Sequence, residues 1–421
     1  MSENASPLAR HLENAARRAP QQVAIFHAGQ SWTRAELLEN ANALASSLDH
    51  RPPWIALAAD SLSLARQAWA CAIAGRPFWP LPPGEAVIAS GSAEATALII
   101  STSGSEGRRR AVRLGPEALD AAAAAANTRL RLTSGDLWLN CLPLYHIGGQ
   151  AILWRCARAG AAMLLHDGFH AGQIAGDLGR YPVSHISLVP AMLAALLDLN
   201  VSPPRSLRVA LIGGAALSAP LHERAMAAGW PLWPSYGMSE STALVAVHAP
   251  GDGPWQAGRV GRPLPGVELA INPRGRICLR GKQLMQGYLN GSGLDTDGWL
   301  TSGDLGELDD EGRLTVLGRA DDMLISGGRN VHPQEIESCL ASCPGVRDVA
   351  VSGLPDPVWG DLVVALVVGK VGLEALQAHA RKHLPAAALP RRVTHLDHLP
   401  RNASGKLDRP ALRQLVAIAG S

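Results

Sequence analysis

Apolar residues in the first half of the chain gather in short unbroken runs. Residues 23–27, 54–58, 96–101, 137–142, 162–165, 185–189 and 209–212 read as strands, several of them apolar at successive positions, as parallel strands covered on both faces are. The segments between them space apolar residues about 3.6 positions apart among good helix formers, which predicts helices over 34–47, 61–74, 116–130, 191–199 and 218–228. Thr33 stands where it can cap the first of these, and the alanine run at 121–126 reads as the interior of the third. None of the helices repeats another, and the alternation of strand with helix predicts an α/β fold with largely parallel sheets.

The texture changes near residue 250. Strand-length segments 267–271 and 276–280 flank the turn Asn272-Pro273-Arg274-Gly275, which predicts a small β subdomain. Residues 318–322 read as a joint. Beyond it come a helix at 333–341 with proline in its first turn, strands at 348–351 and 362–368, a helix at 373–383 and a basic tail. The expectation is a large N-terminal domain, residues 1–320, followed by an α+β C-terminal lid domain, residues 321–421.

Composition narrows the function classes. With 38 Lys+Arg against 36 Asp+Glu, the net charge of +2 gives no whole-chain case for a nucleic-acid or polybasic membrane protein, so a local site must carry the function. The longest apolar runs, such as 362–368, fall far short of the ~20 residues that span a bilayer, and residues 1–10 lack the features of a secretory signal. A cytoplasmic protein without membrane insertion is expected. Cys71, Cys141, Cys156, Cys278, Cys339 and Cys343 show no CxxC pairing, and read as small buried hydrophobes.

Chemistry concentrates in a few segments. The apolar residues before Ser101 lead into Thr102-Ser103-Gly104-Ser105-Glu106-Gly107-Arg108-Arg109-Arg110, a loop of hydroxyls, glycines and guanidinium groups suited to a polyphosphate. It is not a Walker-type loop, because the glycine spacing and the terminal Gly-Lys-Ser/Thr are missing. Ser235-Tyr236-Gly237-Met238-Ser239-Glu240-Ser241-Thr242 combines an aromatic ring able to cover a base with a hydroxyl and a carboxylate able to hold magnesium. Thr301-Ser302-Gly303-Asp304 offers a carboxylate in a turn, either for ribose hydroxyls or as plain turn chemistry.

Taken in order, these segments resemble the adenylate-forming superfamily of acyl-CoA synthetases, nonribosomal-peptide adenylation domains and luciferases. The resemblance covers nearly the whole chain. It is carried by residues 101–110, Ser235-Tyr236-Gly237-Met238-Ser239-Glu240, Ser302-Gly303-Asp304, residues 318–328 and Arg401-Asn402-Ala403-Ser404-Gly405-Lys406-Leu407-Asp408-Arg409. It implies an enzyme using ATP, Mg2+ and coenzyme A: a carboxylate attacks the α-phosphate of ATP, pyrophosphate leaves, and the acyl-adenylate is opened by the thiol. Carried over by residue, it implies that Lys406 bridges the substrate carboxylate and the α-phosphate, that Glu240 with Thr102 holds magnesium, and that Ser239 donates to the α-phosphate. Thr102, Ser103, Gly104, Ser105, Gly107 and Arg110 would surround the departing pyrophosphate. Tyr236 and Gly237 would lie against adenine near Gly213-Gly214-Ala215, and Asp304 and Arg319 would hold the ribose. Asp321 falls at the hinge about which relatives rotate a mobile lid, withdrawing Lys406 and bringing Ser326-Gly327-Gly328 inward as a path for coenzyme A. The loop departs from most relatives, which carry Thr, Pro and Lys where this chain has Glu106, Arg109 and Arg110. A guanidinium fork at Arg110 can still neutralise phosphates, whereas Glu106 must face solvent or a cation.

Within the superfamily, the segment from Leu142 to Arg155 is similar to that of the o-succinylbenzoate-CoA ligases of menaquinone biosynthesis. That similarity implies acyl-pocket roles for His146, Gly149, Gln150 and Arg155, the last of which reads equally as a charge on a helix face. Three alternatives stay open: a ligase for another aryl or medium-chain acid, a degenerate nucleotide- or acyl-adenylate-binding member, and a module loading a carrier protein. Oligomeric state is undetermined by the sequence.

Overall fold

The computed structural model describes residues 6–49, 52–87, 93–102, 110–291, 293–402 and 405–420. Thirteen strands form the largest sheet among the described residues. Its middle is parallel: Leu232–Tyr236, Val209–Ile212, His185–Leu188, Leu137–Asn140, Ala162–Leu165 and Val23–His27 lie side by side in that order. Helices Pro116–Leu130, Ile147–Ala159, Ala171–Arg180 and Pro190–Asp198 interleave with them in sequence, and two apolar clusters fill the space on the sheet's faces. The four buried positions of His185–Leu188 and of Val209–Ile212 follow from this double cover. Thr33 caps Arg34–Ser46, its side chain accepting from Glu36 N while Glu36 reaches back to Thr33 N.

The expected β subdomain continues this same sheet. Beyond Tyr236 the pairing turns antiparallel through Ala246–Val247, Arg259–Pro263, Leu314–Arg319, Leu300–Leu308, Arg276–Gly281 and Val267–Ile271. A second sheet carries Ile55–Leu57, Phe78–Pro80 and Leu98–Thr102 in parallel, then Arg110–Leu114 and Gly287–Tyr288 antiparallel. The last pairing is a long-range excursion that matters for the site.

The C-terminal sheet comprises Leu324–Ser326, Arg329–Val331, Val346–Asp356, Gly360–Gly369 and Arg392–His395. Its central strands are longer than the apolar runs at 348–351 and 362–368 because the hairpin pairing extends to Asp356↔Gly360. Alternate residues serve two cores: Val363, Ala365 and Val367 pack with Ile336, Leu340 and Leu376, whereas Val364 and Leu366 pack with Leu412 and Val416. The helix Arg409–Gly420 covers that second face, where the sequence reading expected only a basic tail. Its two fully buried side chains contribute roughly 1.5–3 kcal/mol each, and they set Lys406 just before an anchored helix. Among the described residues no helix is long and apolar enough to cross a membrane.

Candidate active site

Several functional segments lie at the carboxyl ends of parallel strands, where crevices form in open α/β sheets. After Val209–Ile212 comes Gly213-Gly214-Ala215. A Cβ on Gly213 would meet Ser235 Oγ at 2.7 Å, and that hydroxyl donates to Ile212 O at 2.9 Å. Gly214 takes φ +78° and leaves a bare backbone wall approached by Val189 and Lys406, which a Cβ would meet at 3.3 and 3.4 Å. After Leu232–Tyr236 the chain doubles back so tightly that a Cβ on Gly237 would lie 1.3 Å from Ala243 O. The 3-10 turn Ser239–Ser241 is pinned by Ser241 Oγ, which accepts from Met238 N at 3.2 Å. Thr242 and Ala243 follow at φ 55° and 74°. Two consecutive non-glycine residues in the left-handed region mark a strained turn, held where it presents Ser239 and Glu240.

The Tyr236 hydroxyl donates to Asp304 Oδ2 at 2.7 Å, and burial, then the Asp304 charge, push its pKa well above the usual phenol range. Arg319 lies directly across the ladder from Asp304 and donates to its Oδ1 at 3.4 Å through Nη1, while Nη2 reaches Asp321 at 3.2 Å. Ser302 Oγ accepts from Asp304 N at 3.1 Å, which fixes Ser302-Gly303-Asp304; the segment lies within the strand Leu300–Leu308, not in the turn that its composition predicts. One Asp304 oxygen is thus braced by a phenol and the other by a guanidinium, in a geometry suited to a neighbouring diol. Gly303 leaves room for the Arg319 guanidinium, which a Cβ would meet at 2.5 Å.

The hydroxyl- and glycine-rich loop that begins at Thr102 joins two antiparallel strands, with Thr102 opposite Arg110 and Thr102 Oγ1 donating to Arg110 O at 3.3 Å. Ser103, Gly104, Ser105, Glu106, Gly107, Arg108 and Arg109 lie outside the described residues. Arg110 is exposed and holds its guanidinium carbon 5.1 Å from the centroid of the Tyr288 ring. The Tyr288 hydroxyl donates in turn to Glu240 Oε1 at 3.0 Å, and burial with the nearby Glu240 raises its pKa. The second Glu240 oxygen remains a hard donor of the kind magnesium prefers, so the carboxylate fits that ion.

Lys406 comes to this nucleotide face from the opposite end of the chain. Asn402 Oδ1 accepts from Lys406 N at 3.1 Å, and a Cβ placed on Gly214 would lie 3.4 Å from Lys406 Cε. The lysine is solvent-accessible in an open cleft, yet the protein around it lowers the ammonium pKa through burial. Asp304 and Glu240 oppose that shift, and Arg319 adds to it. His146 caps the sheet end at the start of Ile147–Ala159, its ring 4.8 Å from that of Tyr145. Burial pushes its pKa down to about 4, with Lys406 acting in the same sense and Glu85 opposing. The imidazole is therefore neutral at pH 7. Beside it opens a cleft of about 790 Å3 whose lining includes Leu144, Tyr145, Val189, Met192 and Gly405.

The remaining expected residues divide. Gly149 and Gln150 lie beneath the 142–146 turn: a Cβ on Gly149 would meet Pro143 O at 2.4 Å, and Gln150 Nε2 donates to Leu144 O at 2.8 Å. They support the His146 turn from behind. Arg155 does not reach the cleft. Eight positions beyond Ile147 on the same helix, it is 3% exposed, and stacks its guanidinium 5.6 Å from the Trp138 centroid. Burial pushes its pKa down to about 10, and its Nε has no partner among the described residues. Ser326-Gly327-Gly328 forms a tight turn between Leu324–Ser326 and Arg329–Val331, with Gly327 N donating to Trp359 O at 2.9 Å. With φ 56° and 72°, both glycines suit the turn.

The family model for the AMP-binding enzyme matches residues 55–289, more than half of the chain, and that for the AMP-binding enzyme C-terminal domain matches 335–406. The chain belongs to the AMP-binding enzyme family. Among curated relatives, the 2-succinylbenzoate-CoA ligase of Bacillus subtilis (strain 168) is 36% identical over 337 residues, covering 76% of this chain and 69% of the relative. That of Bacillus cereus (strain Q1) is 36% identical over 342 residues, covering 77% and 71%. The solved o-succinylbenzoate CoA synthetase (MenE) of Bacillus subtilis in complex with the acyl-adenylate intermediate OSB-AMP superposes with a TM-score of 0.86 at 29% identity. It covers 96% of this chain and 97% of that one. The same enzyme in complex with ATP and magnesium ion gives 0.85 at 28% identity, covering 96% and 99%.

Against this AMP-binding background, two site residues escaped sequence reasoning. Tyr288 lies in a two-residue strand with no periodic signal. Arg409, in the segment from Arg401 onward, joins Glu337 at 2.6 Å to Asp322 at 3.5 Å, tying the joint to the C-terminal core. Only its position next to the Lys406 segment hinted at this.

Proposed function

We propose that this chain is an AMP-forming acid-CoA ligase that converts 2-succinylbenzoate, ATP and coenzyme A to the CoA thioester, AMP and pyrophosphate. The observation that carries this reading is the meeting of Lys406 with the Gly214 wall, in the field of Asp304 and Glu240 and beside neutral His146. A cation is needed there because the first step brings two anions, a carboxylate and a triphosphate, into contact.

The carboxylate oxygen attacks the α-phosphorus, the bond to pyrophosphate breaks, and pyrophosphate carries away the displaced charge. Lys406 draws the two anions together; Asp304 and Arg319 hold the ribose, Tyr236 lies along the base, and Ser239 donates to the α-phosphate. Thr102 and Arg110 face the leaving pyrophosphate. Glu240 and Thr102 would hold magnesium, which would neutralise charge on the phosphates. In the second step the thiol of coenzyme A attacks the acyl carbon and AMP leaves. Residues 1–320 form the nucleotide- and acid-binding domain, and residues 321–421 a lid that turns about Asp321. That rotation withdraws Lys406 and brings Ser326-Gly327-Gly328 inward along the pantetheine path.

The cleft beside His146 favours a second reading for the acid. Its described lining contains Asp60 and Asp167 and no lysine or arginine, and Arg155 is buried away from it, which suits a monocarboxylic aryl acid better than a second anion. Pyrophosphate release across a panel of aryl, cinnamic and medium-chain acids, with and without coenzyme A, tests both readings. Release that is greatest with 2-succinylbenzoate, with thioester appearing only when coenzyme A is present, is expected. Equal or faster release with a monocarboxylate would transfer the substrate assignment, and no release with any acid would overturn the ligase reading.

A further inference from the structure

We propose that Tyr288 is a positioning residue that holds the magnesium-binding carboxylate of Glu240 and the guanidinium of Arg110 apart and correctly aimed. This rests on the ligase reading above. The segment around Tyr288 is stitched to both partners. Gln286 N donates to Arg113 O at 2.9 Å and Leu289 N to Ala111 O at 2.8 Å, with Tyr288 opposite Val112, which fixes the segment to the strand that begins at Arg110. Met285 N donates to Glu240 O at 2.8 Å, which fixes it to the strained turn on the other side. The side chain repeats this bridge: its hydroxyl donates to Glu240 Oε1 at 3.0 Å, and its ring lies 5.1 Å from the Arg110 guanidinium carbon.

Two consequences follow from the chemistry of a phenol in that place. A single donor on Oε1 fixes the rotation of the carboxylate and leaves Oε2 for the cation, the way partners of metal ligands tune affinity. The Tyr288 side chain, meanwhile, engages both a guanidinium and a carboxylate, whose strongest mutual arrangement is a bidentate pair. Such a pair would take Arg110 from the phosphates and Glu240 from the metal together. A ring face attracts the guanidinium without a formal charge, so Arg110 is held near Glu240 but not bonded to it.

The test is calorimetric binding of ATP to the full chain as Mg2+ is varied. Tyr288→Phe keeps the ring and loses the donor. It should raise the Mg2+ concentration for half-maximal ATP binding about tenfold, with a smaller loss of metal-free ATP binding than Tyr288→Leu shows. Tyr288→Leu loses ring and donor, and should weaken ATP binding with and without Mg2+. Adding Arg110→Gln to Tyr288→Leu should recover part of the Mg2+ response by removing the unwanted pair. A Phe variant with the parent's Mg2+ response, or a Leu variant no weaker than Phe, overturns this inference alone. A parent whose ATP binding ignores Mg2+ overturns the reading of Glu240 and this inference with it.

Discussion

Replacing Lys406 with alanine separates the two half-reactions. The residue is exposed, and its backbone N–H, which bonds Asn402, survives the change, so the folded state should lose no more than about 0.5 kcal/mol. The chemical loss is larger. The ammonium stands at the Gly214 wall, facing the Asp304 and Glu240 carboxylates, where carboxylate and α-phosphate must approach. Removing one preorganised charge of this kind costs about 10²–10³ in rate, roughly 3–4 kcal/mol. Arg110 and Arg319 remain, so residual activity persists. Conversion of a ready-made acyl-adenylate by coenzyme A begins after the carboxylate and α-phosphate have been joined, so it does not need that cation and should stay within about threefold of the parent. His146 does not confound the comparison: loss of the nearby ammonium raises its pKa from about 4, but burial, the larger cause, keeps the ring neutral at pH 7.5. The assay pairs acid-dependent exchange of pyrophosphate into ATP with thioester formation from synthetic adenylate, alongside a thermal melt. An equal fall in both half-reactions, with an unchanged melt, would refute the step-specific role.

Other outcomes follow from the same geometry. Because His146 titrates near 4 in the fold and near 6.5 when unfolded, protons favour the unfolded state; its contribution is complete above pH 6.5 and declines toward pH 4. His146→Gln should therefore flatten the acid limb of stability by about 2–3 kcal/mol, read as the difference in denaturation midpoints between pH 7 and 4. Asp321→Pro breaks an exposed pair with Arg319 and stiffens the joint, so pyrophosphate exchange should persist while thioester synthesis slows; parent-level thioester synthesis would remove the hinge assignment. Gly237→Ala places a Cβ 1.3 Å from Ala243 O, so the turn bearing Glu240 must open, and chemical denaturation should report a loss above about 4 kcal/mol.

The order of elements was present in the sequence, and candidate site residues could be named from it, because both rest on local patterns. Unbroken apolar runs at 185–189 and 209–212 require cover on both faces, and the structure supplies it. Thr33 and Glu36 carry their capping pattern within one turn. Residues 235–240 and 302–304 likewise hold their chemistry in contiguous stretches.

Tertiary structure alone decided which of these residues meet. Arg155 and His146 share one helical segment, yet helix geometry turns Arg155 into the core beside Trp138 while His146 stays at the sheet edge. Periodicity identifies the apolar faces of 362–368 but not what covers them; the helix Arg409–Gly420 is assigned to its face only by the tertiary packing. The bridge of Tyr288 to Glu240 and Arg110, and the approach of Lys406 to Gly214, join residues far apart in the chain. Hydrophobic patterning specifies which side of an element is buried; strand order and register specify its neighbour, and the active site is made of neighbours.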